Sequence, residues 1–244
     1  MIFVFFDLLK FDAGAALILM TAIISALVAG ISFHEFSHAF IADSLGDTLP
    51  RRMGRVTLNP LAHLEPMGTI LMLLVGFGWG KPVPVNPAMT RNPKASLTMT
   101  AAAGPLSNLL VAALAGLPLK LGLFPWLPPF NVGVINALIR GGWTASDYAG
   151  LYLSSIVLIS LILGVFNLVP IAPLDGFKVA VGILPRDLSQ TFAQLEPYGP
   201  AILIALIALP ILTGGRFGLL FEVMRPIINA LAHLFAGIQG DVYT

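Results

Sequence analysis

The chain has 244 residues, of which 57% are hydrophobic and 10% charged, and its mean hydropathy is +0.90. Soluble domains carry about 25% charged residues, and a soluble globule of this size cannot hide so much apolar surface. These figures exclude a soluble enzyme, a nucleic-acid binder and a disordered chain, and they make the lipid bilayer the natural solvent. The net charge of +1 points to no polyionic partner, and the absence of cysteine excludes disulfides and thiolate metal sites.

Continuous hydrophobicity predicts one integral membrane domain over residues 1–244, with a core of about 13–180 and C-terminal accessory helices at about 197–237. Met1–Asp12 is aromatic-rich and short, and contains Asp7 and Lys10. It has neither the basic start nor the small-residue cleavage site of a signal peptide. Ala13 to Phe33 is uncharged and continues through a polar interruption to Ala42, which gives the first span. Arg55–Asn59 reads as a short strand stopped by Pro60. Met67–Trp79 is apolar but too short to cross, so it reads as re-entrant. The prolines of Pro82–Asn86 and Pro87 forbid helix and suit extended chain or an edge strand.

Ala95–Leu119 gives a second span, Tyr148–Leu174 a third and Pro197–Gly215 a shorter fourth. Phe217–Phe235 carries Glu222, Arg225, Asn229 and His233 on one helical stripe, as an interfacial helix or a fifth span would. Trp79, Trp126 and Trp143 lie near span ends, as interface anchors do. The predicted fold is therefore a polytopic all-α membrane bundle of four to six spans with a small embedded sheet or re-entrant region. Arg51, Arg52, Arg55, Lys81, Arg91 and Lys94 all fall between the first two spans, which puts that region in the cytoplasm if Met67–Trp79 does not cross. Asp175 then lies on the same side.

The polar interruption is His34-Glu35-Phe36-Ser37-His38, an H-E-x-x-H pattern. On a helix the two imidazoles share one face, roughly 6 Å apart along the axis, and reach one metal. Glu35 projects beside them, where it can take a proton from a metal-bound water. Ionisable groups this deep in an apolar segment are costly, and three in ligand spacing need a reason. A catalytic zinc normally takes a third protein ligand. A metzincin-type histidine would fall at Ser44, which excludes that class. Glu65 and Asp175 are the remaining candidates. Asp175 precedes Gly176 and follows an uncharged run from Tyr148, and a helix-end carboxylate in a polar turn explains it equally well. His63 reads as structural or substrate-adjacent, His233 as part of the C-terminal stripe, and Gly104-Pro105 beside Ala101–Ala103 as a kink or close-packing point.

Asn167-Leu-Val-Pro-Ile-Ala-Pro-Leu-Asp175-Gly176 resembles the N-x-x-P-x-x-P-x-D-G element of the site-2 proteases, a family of intramembrane zinc metalloproteases. His34-Glu35-x-x-His38 matches that family's other motif. Gly46-Asp47, Gly54 to His63, Pro66 to Thr69, Trp79 to Pro87 and Ala103-Gly104-Pro105-Leu-Ser-Asn108 are similar to further family elements, so the resemblance spans roughly residues 20 to 180. It implies that His34, His38 and Asp175 ligate one zinc per chain, with Glu35 as general base and later acid. It implies that Asn167 and Asn108 help to hold the substrate or its oxyanion. The segments Arg55–Asn59 and Pro82–Asn86 would form an embedded sheet whose edge pairs with an unwound substrate.

Phe177 stands where the family often has a second glycine, and no loop is long enough for a PDZ domain; no C-terminal nucleotide-sensing domain is read either. The implied partners are a single-span membrane protein substrate and the bilayer, with no nucleic acid. The implied location is the plasma membrane of a prokaryote, with the active site towards the cytoplasm. Oligomeric state is not legible. The rival readings are an ion or small-solute transporter using intramembrane His and Asp, and a metal-binding homologue without hydrolysis.

Overall fold

The helix starts are written in cap residues. Asp12 Oδ1 accepts the Ala15 amide at 3.0 Å and opens α1, Ala13–Ser44. Asn92 Oδ1 accepts the Ala95 amide at 3.2 Å and opens α2, Pro93–Lys120, with Pro93 at the first position, where its missing N–H costs nothing. Thr144 and Asp147 form a capping box at the start of α4, Ala145–Asn167. The computed structural model describes residues 12–68, 80–214, 218–238 and 241–242. Its remaining helices of eight or more residues are α3, Val132–Arg140; α5, Asp175–Ile183; α6, Arg186–Ala193; α7, Gly199–Leu212; and α8, Leu219–Ala236.

Among the described residues, five helical stretches are long and apolar enough to cross a membrane: Ala13–Ser44, Pro93–Lys120, Ala145–Asn167, Arg186–Pro210 and Leu219–Ala236. The fourth joins α6 to most of α7 through a 3-10 turn at Glu196–Tyr198. The chain is thus an integral membrane protein. Helices α1, α2 and α4 pack on one another, α8 lies against α2 and α4, and α5 lies against α2. In its most apolar window α4 is 61% buried and Arg186–Pro210 only 11%, so α4 is the central helix and Arg186–Pro210 is peripheral. The outward face of α2 carries exposed Leu106, Leu110, Leu114 and Leu117, as a lipid-facing surface does. Its inward face approaches its neighbours through glycine. A side chain at Gly116 would meet Phe235 O of α8 at 2.8 Å, and one at Gly164 of α4 would meet Pro105 O of α2 at 3.2 Å.

The helices match the expected spans, except that the fourth apolar stretch runs Arg186–Pro210 instead of Pro197–Gly215 and that the third differs at its end. Its helix ends at Asn167, not Leu174, because Pro170 and Pro173 cannot continue it. The chain turns through 168–174, with a cis peptide at Ala172–Pro173, and Asp175 begins α5. Asp175 therefore starts a helix instead of closing a span.

The expected embedded sheet is not found among the described residues. Neither Arg55–Asn59 nor Pro82–Asn86 forms a strand, and the only pairing among the described residues is one antiparallel bridge between Leu64 and Gly80. The physical reason lies in the groups available. Pro82 and Pro84 have no amide to donate, and the buried Arg55 guanidinium takes the carbonyls of Lys81 and Pro82 that a ladder would need. The re-entrant reading of Met67–Trp79 and the reading of Met1–Asp12 lie outside the described residues, apart from Asp12, Met67 and Gly68.

The polar stripe of α8 also has a different explanation from an interfacial face. Arg225 pairs with Asp241, and Asn229 Oδ1 accepts the amide of the buried Val242 at 3.2 Å. The stripe is a seam that holds residues near the C-terminus, while Glu222 and His233 stay exposed. Lys120 Nζ donates to Leu234 O at 2.7 Å and ties α2 to the same helix. Replacing Asn229 by Ala removes the acceptor for Val242. Limited proteolysis followed by mass spectrometry is expected to show several-fold faster loss of the C-terminal residues, with the helical circular dichroism unchanged.

Candidate metal centre

Helix α1 carries His34 and His38 one turn apart, both 8% exposed. The turn after α4 delivers Asp175 to them. His34 Nε2 and His38 Nε2 are 3.1 Å apart, and Asp175 Oδ2 lies 3.0 Å from the first and 3.1 Å from the second. The two rings stand nearly perpendicular, at 87°, with centroids 4.6 Å apart. Among the described residues this is the group of histidines and carboxylates that could hold a metal ion.

The protonation logic asks for a cation. His38 Nδ1 is 2.7 Å from Thr100 O, which can only accept, so Nδ1 carries the hydrogen. In the neutral ring Nε2 is then a bare lone pair, facing another imidazole nitrogen and a carboxylate. Lone pairs converging at this distance repel unless a positive charge lies between them. Burial opposes ionisation of Asp175, and with no cation in place only rings protonated at Nε2 would offset it, holding the carboxyl below its usual range through hydrogen bonds and charge from His34 and His38. That favours the ionised form, which is the ligating form. Donors around a tetrahedral zinc at about 2.0–2.1 Å are roughly 3.3 Å from one another. The two nitrogens and one oxygen fit zinc in kind and in spacing.

Helix α2 closes the other side. A Cβ at Gly104 would collide with His38 Nε2 itself, and would lie 2.6 Å from His38 Cε1 and 2.7 Å from His34 Cε1. Only glycine lets α2 pass this close. The sequence marked Gly104 as a close-packing point, and the structure shows that what it packs against is the donor set. Asn108, one turn on and fully buried, has its amide 3.2 Å from His34 Nδ1.

Glu35 is half-buried, and the backbone at Gly80 runs against it: a Cβ there would lie 3.3 Å from Glu35 Oε1 and 3.2 Å from His63 O. Arg55 holds that backbone. Its guanidinium donates to Ala62 O, Lys81 O and, at 2.8 Å, Pro82 O. Burial pushes its pKa down and the nearby Glu35 carboxylate opposes this, so the two charges sense each other. Asp47, fully buried, anchors the far end by accepting the amides of Leu49 at 3.0 Å and Asn86 at 2.5 Å. From sequence, Arg55 reads as a loop charge, a strand start and part of a family element, and Asp47 as part of a family element; their carbonyl and amide partners are backbone groups that no residue pattern announces.

The other candidates stand apart. Glu65 Oε2 accepts the Gly68 amide at 2.5 Å and is not in the donor group. Asn167 Nδ2 turns back to Leu163 O at 2.9 Å and, among the described residues, makes no hydrogen bond to the three donors. His63 is fully buried with Nε2 at 2.7 Å from Thr57 O, which fits its structural reading.

A helical membrane bundle in which an H-E-x-x-H helix is completed by a carboxylate from another helix defines the class of membrane metalloproteases. Residues 22–207 match Peptidase family M50, the site-2 protease family, and the chain belongs to it. Among its relatives, the Bacillus subtilis protein named Putative zinc metalloprotease YwhC is 32% identical over 212 residues, covering 87% of this chain and 88% of that protein. The Rip2 proteins of Mycolicibacterium smegmatis and Mycobacterium tuberculosis carry the same description. They are 28% and 27% identical, covering 82% and 88% of this chain and 71% and 76% of their own lengths. No solved structure matches the chain.

Gly104→Val places a branched side chain on His38 Nε2. The zinc content of the purified variant, measured by elemental analysis, is expected to fall to a small fraction of the wild-type value while its helicity is retained. Arg55→Leu leaves the carbonyls of Ala62, Lys81 and Pro82 without their donor. It is expected to lower thermal stability in detergent by a few kcal/mol, the range for a broken buried charged network.

Proposed function

We propose that the protein is a zinc-dependent intramembrane endopeptidase that hydrolyses peptide bonds in the transmembrane segments of single-span membrane proteins. The observation that carries this reading is the convergence of His34 Nε2, His38 Nε2 and Asp175 Oδ2 within 3.1 Å, one residue from Glu35. Zinc, when bound there, supplies Lewis-acid activation of a water and of the scissile carbonyl. His34, His38 and Asp175 hold it, and Glu35 takes the proton of the attacking water and returns it to the leaving amine.

Asn167 serves the substrate or its oxyanion: Oδ1 can accept a backbone amide, and Nδ2, which gives one hydrogen to Leu163 O, keeps a second to donate. A transmembrane helix has its carbonyls bonded internally, so the substrate must unwind before attack. The Lys81–Asn86 segment suits an unwound chain: among the described residues the amides of Val83 and Val85 have no acceptor, and they are free to meet it.

Helices α1 and α2 run antiparallel, with His38 level with Thr100, so the connection between them starts and finishes on one side. That connection carries the basic residues, which supports placing the centre near the cytoplasmic face of a plasma membrane.

The test uses detergent-purified full chain and a single-span model substrate. Wild type is expected to carry about one zinc per chain and Asp175→Ala little. Glu35→Gln is expected to keep the zinc and lose about 10²–10⁴-fold in cleavage rate. Absence of zinc from well-folded wild type, even after its addition, overturns the reading; so does full cleavage by Glu35→Gln.

A further inference from the structure

Helix α2 presents Thr100, Gly104 and Asn108 along one face, at spacings of four residues, and all three meet the histidines of α1. Thr100 contributes its carbonyl to His38 Nδ1, and Gly104 gives way to the Nε2 side. Asn108 stands at His34 Nδ1, fully buried, with Oδ1 lacking any hydrogen-bond partner. Its amide nitrogen faces the ring nitrogen at 3.2 Å.

That orientation has a consequence for His34. If Nδ2 donates to Nδ1, the ring hydrogen must sit on Nε2, which points at His38 Nε2 and Asp175. A ligating Nε2 must instead be bare, with the hydrogen on Nδ1, and Nδ1–H needs an acceptor. A half-turn of the amide about χ2 exchanges its nitrogen and oxygen without moving any other atom. The orphaned Oδ1 then accepts Nδ1–H, and His34 reaches the same state in which Thr100 O holds His38.

We propose that Asn108 is a positioning residue of the metal centre: its Oδ1 fixes the orientation and tautomer of His34 and so raises metal affinity. This assigns it a role other than holding the substrate or the oxyanion. Its complete burial against Gly164 and His34 supports that, since a group that meets the substrate needs a free side. Of the two outer partners, Thr100 acts through its backbone and is insensitive to substitution. Asn108 is the one that mutation can remove. Outer partners of ligating histidines typically contribute 10–100-fold in metal affinity.

The inference rests on the metalloprotease reading, and its test separates the two. Zinc affinity is measured by competition with a chromophoric chelator for wild type, Asn108→Leu and Asn108→Asp, each checked for helicity. Asn108→Leu, which fills the space without an acceptor, is expected to bind zinc about 10–100-fold more weakly than wild type. Asn108→Asp, which offers only acceptors, is expected to bind at least as tightly as wild type. Wild-type affinity in Asn108→Leu together with slow cleavage overturns the proposal and returns Asn108 to the substrate. If Asn108→Leu fails to fold, Asn108→Asp decides: weakened zinc binding overturns the proposal and retained binding supports it. Wild type that binds no zinc overturns the metalloprotease reading and this inference with it, whereas failure of this inference alone leaves wild-type binding intact.

Discussion

Two imidazole nitrogens and a carboxylate oxygen, 3.0–3.1 Å apart in an apolar bundle, are the constraint on which the rest of the structure depends. An uncompensated buried charge costs several kcal/mol, and lone pairs aimed at one another add repulsion. A cation removes both penalties. The donors come from the C-terminal third of α1 and the start of α5, so a metal bound there would link elements that are far apart in sequence. Metal binding and folding are then coupled, as they are wherever a site draws its ligands from separate elements.

Bringing the elements together requires control of where each helix stops. α4 packs on α1 through Gly30, where a Cβ would meet Leu163 at 2.8 Å, and it ends four residues later at Asn167. The prolines that follow turn the chain at once. Gly176 lies so close to the Leu168 and Val169 carbonyls that no side chain fits, which lets α5 begin against the end of α4. The element N-x-x-P-x-x-P-x-D-G is therefore a device of geometry as much as of chemistry. Its asparagine ends one helix, its prolines enforce the reversal, its aspartate starts the next helix pointing at the histidines, and its glycine makes room. Phe177 in place of a second glycine does not disturb this, because its ring stacks on Phe192 at 5.0 Å and helps to join α5 to α6.

What could be read from the sequence follows the same division. Long apolar runs have one structural solution in lipid, so α1, α2 and α4 were legible almost to their ends. His34, Glu35 and His38 were legible because helical spacing alone places them. Asp175 was legible only with its neighbours, since spacing could not separate a metal ligand there from a helix-end carboxylate in a polar turn. Helix ends near Asn167 were missed because hydropathy continues past the prolines. The strand readings failed for a different reason. Extended-looking sequence such as Pro82–Asn86 says nothing of what its carbonyls bond to, and here a distant arginine side chain takes them. Thr100, Arg55 and Asp47 share that property: each acts on, or through, a backbone group, and backbone groups leave no signature in residue type.

The region between α1 and α2 shows how irregular chain can be kept next to a membrane-embedded site. Backbone outside helix must satisfy its polar groups within the protein or with water. Arg55 supplies donors to three carbonyls, Asp47 supplies acceptors to two amides, and Pro82 and Pro84 remove two donors from the account altogether. The result is a segment held in place at both ends by side chains, with Gly80 against Glu35 and the amides between the prolines left over. A sheet would have consumed those amides internally. Clamping by side chains fixes the path of the chain while leaving the amides of Val83 and Val85 without an acceptor among the described residues. The same arginine that prevents a strand thus leaves the segment open to a further hydrogen-bonding partner, as the proposed cleavage of an unwound peptide would require.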